Sequence, residues 1–296
     1  MFTGVFLIFC FLMIGYAMKL AKKDYSDVLI QFCVIIAFPA LIIQKLYPLK
    51  IEFSNFSVVF VAIFSILLGF SIGFLVSRIF GFNKKSSAVV ILACGLGNTS
   101  FIGFPFIEAM FGFDALSHAL LFDQFGSFLL LSIFGSIIAA WGAGRDSSIK
   151  KLVKNMFLFP PFIAIFAAFL LKPFAVPDLF LDGCAKLSTT LLPLVTIAVG
   201  MKIDIRHIKE RLNPSVLVLS IKMVIVPLVV FLMLKLLGLP FDVPHKVALI
   251  ESAMPPMVMV AIFASRYGLD EKLAVSSVAL GVFVSFITIP LFYHLG

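Results

Sequence analysis

Asn98, Thr99 and Ser100 stand in the middle of the apolar run 87–112, SAVVILACGLGNTSFIGFPFIEAMFG, and Pro105 follows within two turns. Hydrocarbon should surround the chain at that depth. A helix broken there frees backbone N–H and C=O groups, which must then be satisfied inside a protein-lined cavity. The freed N–H groups form the positive end of a half-helix dipole and favour a carboxylate or another anion. The Asn98 amide can donate and accept, so it can orient an anion without a buried charge. A second run, 246–267, reads KVALIESAMPPMVMVAIFASRY and is interrupted by Glu251, Ser252, Pro255 and Pro256. Two broken spans at matching places in two halves of a chain point to the binding site of a secondary transporter. The plainer alternative is that Asn98, Thr99 and Ser100 only satisfy broken backbone or join helices together. Gly95, Gly97 and Gly103 fit close helix crossing. The G-x-G of GLGN lacks the βαβ surroundings of a dinucleotide site.

Ionisable residues inside apolar runs are functional candidates by default. Asp123, beside Gln124, is expected either to carry a proton or to form a structural ion pair, with Lys222 or the broken backbone of the first run as partner. Lys222 either attracts the anion or neutralises Asp123. Glu251 lies one turn before the second break and either binds a proton or sodium or faces an aqueous vestibule. Glu108, near the outer end of its run, is expected to be solvated. Asp123, Gln124, Lys222 and Glu251 are thus the coupling or charge-neutralising set, and a proton or a sodium ion is the coupling partner. No other cofactor and no metal are expected. His118, His207, His245 and His294 fall near loops or span ends without metal-ligand spacing. No G-x-S-x-G elbow, P-loop or H-E-x-x-H motif occurs, which argues against an enzyme and against ATP-driven pumping.

These residues need a membrane-spanning frame, and composition supplies one. The 296 residues are 62% hydrophobic and 13% charged, where soluble domains carry about a quarter charged residues. Mean hydropathy is +1.17. Cys10, Cys33, Cys94 and Cys184 show no paired spacing and read as small buried thiols. The run Phe2–Met18 has no basic region before it and no small-residue cleavage site, so a retained first span is expected. Cutting at charged and turn-rich breaks gives ten apolar segments, 2–18, 27–47, 56–80, 86–111, 115–141, 155–172, 179–201, 214–238, 244–266 and 273–293. Each is close to the ~20 residues that cross a hydrocarbon core. The longest connection, 142–154, is only a linker.

Lys and Arg sort by side. The odd-numbered loops hold 16 of them and the other face holds 6, with Lys222 inside a span. That bias places the odd loops in the cytoplasm of a cell-membrane protein and both termini outside. The net charge of +8 is then mostly topological, the partner it implies is the lipid bilayer, and no nucleic-acid partner is expected. Local motifs recur. Phe80-Gly81-Phe82 and Leu237-Gly238-Leu239 precede the broken runs, and Phe111-Gly112-Phe113-Asp114 and Tyr267-Gly268-Leu269-Asp270 end them. Five spans per half is an odd number, so the second half enters from the opposite side as an inverted repeat. The expected fold is an all-α polytopic membrane protein. Its ten transmembrane helices form a 5+5 inverted repeat, 1–145 and 146–296, with broken, crossing helices four and nine.

The stretch Asn98-Thr99-Ser100-Phe101-Ile102-Gly103-Phe104-Pro105, ending at Met110-Phe111-Gly112, resembles the N-T-x-x-x-G-x-P…M-[YF]-G stretch of the auxin efflux carrier family. That family includes the plant PIN-FORMED carriers and bacterial malonate-type carriers. Ala253-Met254-Pro255, with Ala264 and Tyr267, resembles its ninth span. Lys222 before Pro227 and Leu192-Pro193 through Gly200-Met201-Lys202 resemble its eighth and seventh. The long cytoplasmic loop of many plant members is missing, so a compact bacterial-type carrier is expected. Pro-Pro-Met stands where plant members are more polar, so a substrate shared with them is not expected. The resemblance implies a scaffold of spans 1, 2, 6 and 7, a mobile domain of spans 3–5 and 8–10, a homodimer through the scaffold and an elevator-like movement. With the breaks it nominates Asn98, Thr99, Ser100, Met254, Pro255 and Pro256 for substrate, and Gly97, Gly103 and Pro105 for the helix break. The function expected is a secondary carrier of small organic anions, carboxylates above all. A sodium-coupled organic-anion symporter of the bile-acid carrier type, a channel and a membrane sensor stay open as alternatives.

Overall fold

A computed structural model describes residues 2–50, 52–145 and 157–296. The linker expected at 142–154 and the start of the sixth apolar segment fall largely outside them. The described residues are helical, and their only extended pairing is one isolated antiparallel bridge. Along the chain run α1 (Phe2–Leu20), α2 (Ser26–Leu46), α3 (Phe53–Ile79), α4 (Lys84–Gly95), α5 (Thr99–Phe111) and α6 (Phe113–Ala143). After the gap come α7 (Pro160–Leu171), α8 (Asp178–Lys202), α9 (Lys209–Leu236), α10 (Val243–Ser252), α11 (Val258–Tyr267) and α12 (Glu271–Leu295). Seven of these, α1, α2, α3, α6, α8, α9 and α12, are long and apolar enough to cross a membrane. The apolar runs 86–111 and 244–266 are each split into two shorter helices, α4/α5 and α10/α11, because both are interrupted where the sequence is polar or proline-rich.

Large apolar side chains such as Phe6, Phe60, Leu170, Leu236 and Ile287 are exposed along the helices. Lipid, not water, suits such a surface. The interior is packed by aromatics: Phe104, Phe106 and Phe122 are fully buried, and Phe38 meets Phe104 edge to face at 5.4 Å, which ties α2 to α5. Without a hydrophobic drive between helices in lipid, close approach rests on small residues. α1 and α8 cross at Gly15 and Gly200. A Cβ on Gly200 would lie 2.2 Å from the Leu12 carbonyl oxygen, and one on Gly15 would lie 2.0 Å from that of Ile197.

Two features place the broken helices. The helices before them end alike. Gly81 (φ 64°) and Gly238 (φ 63°) are left-handed. Phe82 N donates to Ser77 O at 3.0 Å and Leu239 N to Leu234 O at 3.1 Å, the long bond of a Schellman end in both. The second feature is a widened turn ahead of proline. π-turns Cys33–Ala37, Thr99–Gly103 and Ile221–Ile225 each stop two residues before Pro39, Pro105 or Pro227. A proline ring clashes with the carbonyl four residues back, and a wider turn relieves it. Two more π-turns, Asp123–Phe128 and Leu131–Gly135, have no proline after them.

Candidate functional site

The two interruptions are bonded to each other. Asn98 N donates to Pro255 O at 2.7 Å and Met257 N donates to Leu96 O at 3.0 Å, which forms the Gly97–Pro256 bridge. Pro255 and Pro256 have no N–H, so nothing on those two residues is left needing an acceptor. Gly97 leaves little room for a side chain: a Cβ there would sit 3.2 Å from both Cε and Nζ of Lys222 and 3.4 Å from the Met254 Cβ, so Lys222 would have to shift. Beyond the bridge, Asn98 O accepts from Ile102 N at 3.2 Å and Gly103 N at 3.0 Å. The N–H groups of Thr99, Ser100 and Phe101 have no backbone acceptor among the described residues. The first turn of α11 starts the same way, with Val258 and Met259.

Buried polar side chains surround the bridge. Asp123 accepts hydrogen bonds from Thr99 Oγ1 and, at 2.7 Å, from Gln124 Nε2. Of the alternatives weighed for Asp123, the ion pair with Lys222 does not form: Lys222 Nζ donates instead to Ser252 O at 2.7 Å, at the C-terminal end of α10. A cation there also meets the negative end of the helix dipole. Glu251 faces no vestibule, for it is 0% exposed and neither carboxyl oxygen has a hydrogen-bond partner. Asn98 Nδ2, Gln124 Oε1 and Ser127 Oγ are likewise buried without partners. Glu108, expected in solvent, is half-buried because α5 packs that turn against its neighbours.

A cavity of about 710 Å³ lies beside the bridge. Its wall includes Asn98, Ser100, Asp123 and Gln124 of the sequence-nominated set, with Phe101 and Met257–Met259 beside them. Thr99, Met254, Pro255, Pro256, Lys222 and Glu251 do not line it. Pro255 and Pro256 form the bridge itself, Thr99 bonds Asp123, and Lys222 bonds the end of α10. The half-helix starts of α5 and α11 both contribute to the wall, through Ser100 and Phe101 and through Val258 and Met259. Opposite them stand Ile30, Val34 and Phe38 of α2 and Val199, Met201 and Lys202 of α8.

The mouth carries residues that sequence reasoning missed: Asp24, Asp27 and Asp204, with Lys19, Lys202 and Arg266. Only their place among the cationic loops was visible. Asp27 is 89% exposed and pairs with Lys202 at 2.7 Å. The side-chain hydrogen bonds of Arg206 hold the Asp204 carboxyl down at about 2. Ser26, through its hydroxyl and its backbone N–H, lowers that of Asp24. Both acids are therefore anionic at neutral pH. On the opposite face, His245 joins Asp242 (Nδ1 to Oδ1, 2.6 Å) to Ser57 (Nε2 to Oγ, 2.8 Å). The Ser57 hydroxyl also donates to Ser54 O at 2.8 Å and is buried, so the trio pins α10 to α3. Among the described residues no cluster of three or more His, Cys, Asp or Glu could hold a metal, and all four cysteines are free thiols.

The comparisons with known proteins agree with this picture of a transporter. A family model described as "Membrane transport protein" matches residues 1–293. An uncharacterised transporter of Methanocaldococcus jannaschii is 27% identical over 306 residues, covering 97% of this chain and 96% of its own. An uncharacterised transporter of Methanothermobacter thermautotrophicus is 25% identical over 295 residues, covering 94% of this chain and 93% of its own. With a multi-pass helical bundle and a match along nearly its whole length, the chain belongs to the membrane transport protein family, the auxin efflux carriers that its Asn98–Gly112 stretch resembles.

Proposed function

We propose that this protein is a secondary carrier of small organic anions, carboxylates above all, in the cytoplasmic membrane, working by alternating access. The observation that carries the anion is Asn98. Its side chain is 2% exposed and its Nδ2 has no partner, yet it lines the cavity between two half-helix starts with free N–H groups. A buried amide donor left unmade costs about 1–3 kcal/mol, and an anion supplies the acceptor it lacks. Asp123 shares the wall, but its oxygens are engaged by Thr99 and Gln124. The mostly apolar remainder, with Phe38, Phe101, Phe128 and Phe263, suits a ligand with a carbon body behind the charged head.

The ten-helix, 5+5 inverted arrangement with a mobile domain and a homodimeric scaffold is part of the same reading. It is supported by the matched Schellman ends and by the mutual bonding of the two breaks. The cavity also lies between α2 and α8, which the family resemblance assigns to the scaffold, and α5, α6, α11 and α12, assigned to the mobile part. Its mouth opens at the loops rich in Lys and Arg, which supports reading this as an inward-open form of the cycle.

The test is thermal stabilisation of the purified protein by a panel of mono- and dicarboxylates. A ligand present at 100 times its Kd adds about 2.7 kcal/mol to the folded state, and Asn98→Ala should abolish the shift. No shift with any carboxylate, against a clear one with cations or neutral solutes, sinks the anion reading.

A further inference from the structure

We propose that Glu251 is a proton-binding site inside the bundle, and that its proton is held or released as α5 moves at Gly103. The proposal rests on the carrier reading above and names its coupling ion. The two buried carboxyls are built differently. Asp123 accepts from Thr99 Oγ1 and Gln124 Nε2, as a carboxylate anion requires. Glu251 is 0% exposed and receives no hydrogen bond on either oxygen. An ionised carboxylate with neither donors nor a paired cation is prohibitive in such surroundings. Lys222 acts on Glu251 from a distance but makes no ion pair with it, and its ammonium bonds Ser252 O. A proton removes the charge where it arises.

The groups acting electrostatically on Glu251 are Asp123 of α6 and Lys222 of α9. The other titratable groups on elements packed against α10 are Glu52 and Arg78 at the two ends of α3, Glu108 of α5, Asp114 and His118 of α6, Lys209, Glu210, Arg211 and Lys235 of α9, and Glu271, Lys272, Tyr293 and His294 of α12. They sit toward the helix ends, as do His245 and Lys246 of α10 itself. None of them offers Glu251 a counter-charge.

Placement connects the proton to the site. Glu251 is in the last turn of α10, and its carboxyl rests on the bare face of Gly103. A Cβ on Gly103 would fall 2.4 Å from Oε2 and 2.8 Å from Oε1. Gly103 N in turn donates to Asn98 O at 3.0 Å. A carboxyl that ionises must find donors or water, and it can do so only by leaving Gly103. That releases the turn which holds Asn98 against the cavity. Binding at Asn98 and protonation of Glu251 thereby act on one peptide segment.

The experiment is infrared difference spectroscopy of the full-length protein in lipid, in sodium-free potassium buffer, at several pH values. The readout is the C=O stretch of a protonated buried carboxylic acid. It should be present at neutral pH in the wild type, lost in Glu251→Gln, retained in Asp123→Asn, and shifted or lost in Gly103→Ala. Should Glu251→Gln fail to fold, carbon-13 glutamate labelling of the wild type assigns the band, since Glu251 is the only fully buried glutamate of five. A wild type without the band, or a band that labelling leaves in place, overturns the proposal. So does a band that sodium chloride removes where potassium chloride does not, because a metal cation then holds the site. No substrate enters this measurement, so it stands or falls apart from the Asn98→Ala titration.

Discussion

Lys222 shows how a buried ammonium can be a backbone group's partner and not a ligand's. Its Nζ meets Ser252 O, one of the last carbonyls of α10, which has no donor within the helix. Lys222→Met keeps the stem and removes the donor, so it should cost ~1–3 kcal/mol of stability and lower the melting temperature of the purified protein. An unchanged melting temperature would mean that the bond contributes nothing. The types and depths of Asn98, Ser100, Asp123 and Gln124 were legible in the sequence, and the cavity wall contains all four. The partnerships were not. Lys222 could reach either Asp123 or a helix end, and only the relative setting of α6, α9 and α10 decides between them. Thr99 likewise reads as a ligand contact, but a π-turn directs it to Asp123 instead.

At the scale of elements, the positions of both breaks could be read because proline and Asn-Thr-Ser leave a helix few other options at those points. The widened turns could not be read so easily. A proline signals a clash with the carbonyl behind it, but whether the helix kinks or widens depends on what packs around it. The π-turn at Asp123–Phe128 carries no sequence signal at all. The glycine pairs are a different case, since Gly81 and Gly238 sit at φ 64° and 63° and a side chain there costs roughly 1–2 kcal/mol. Gly81→Ala and Gly238→Ala should therefore lower the melting temperature by similar amounts. A large effect in one and none in the other would show that the two helix ends do not share a role.

For the molecule as a whole, the described face with the cavity mouth is ringed by opposing charges. Asp27 pairs with Lys202, and Asp204 with Arg206 at 2.5 Å. The Asp204 carboxyl is held below its ordinary 3.8, at about 2. A lowered value means that its contribution to stability is complete above about 4 and fades as pH falls toward 2. Wild-type melting temperature should thus drop through that acid window, and Asp204→Asn should drop less. Parallel curves would remove Asp204 from the acid response. The sidedness of Lys and Arg was readable from the chain alone. The cavity was not, because its wall joins α2 and α8 to α5, α6, α11 and α12, segments whose distance in sequence says nothing of their nearness in space.

The two backbone bonds joining Leu96 and Asn98 to Met257 and Pro255 have a mechanical consequence. They rivet the two halves of the seat into one piece. A riveted seat cannot part like jaws around its cargo; while the rivets hold, it stays still or travels whole. On the proposed carrier reading, cargo would then meet the same Asn98 amide and the same wall residues Ser100, Phe101, Val258 and Met259 from either compartment. If the proposed movement carries the seat past α2 and α8, a blocker that works from one compartment alone must draw its sidedness from that wall.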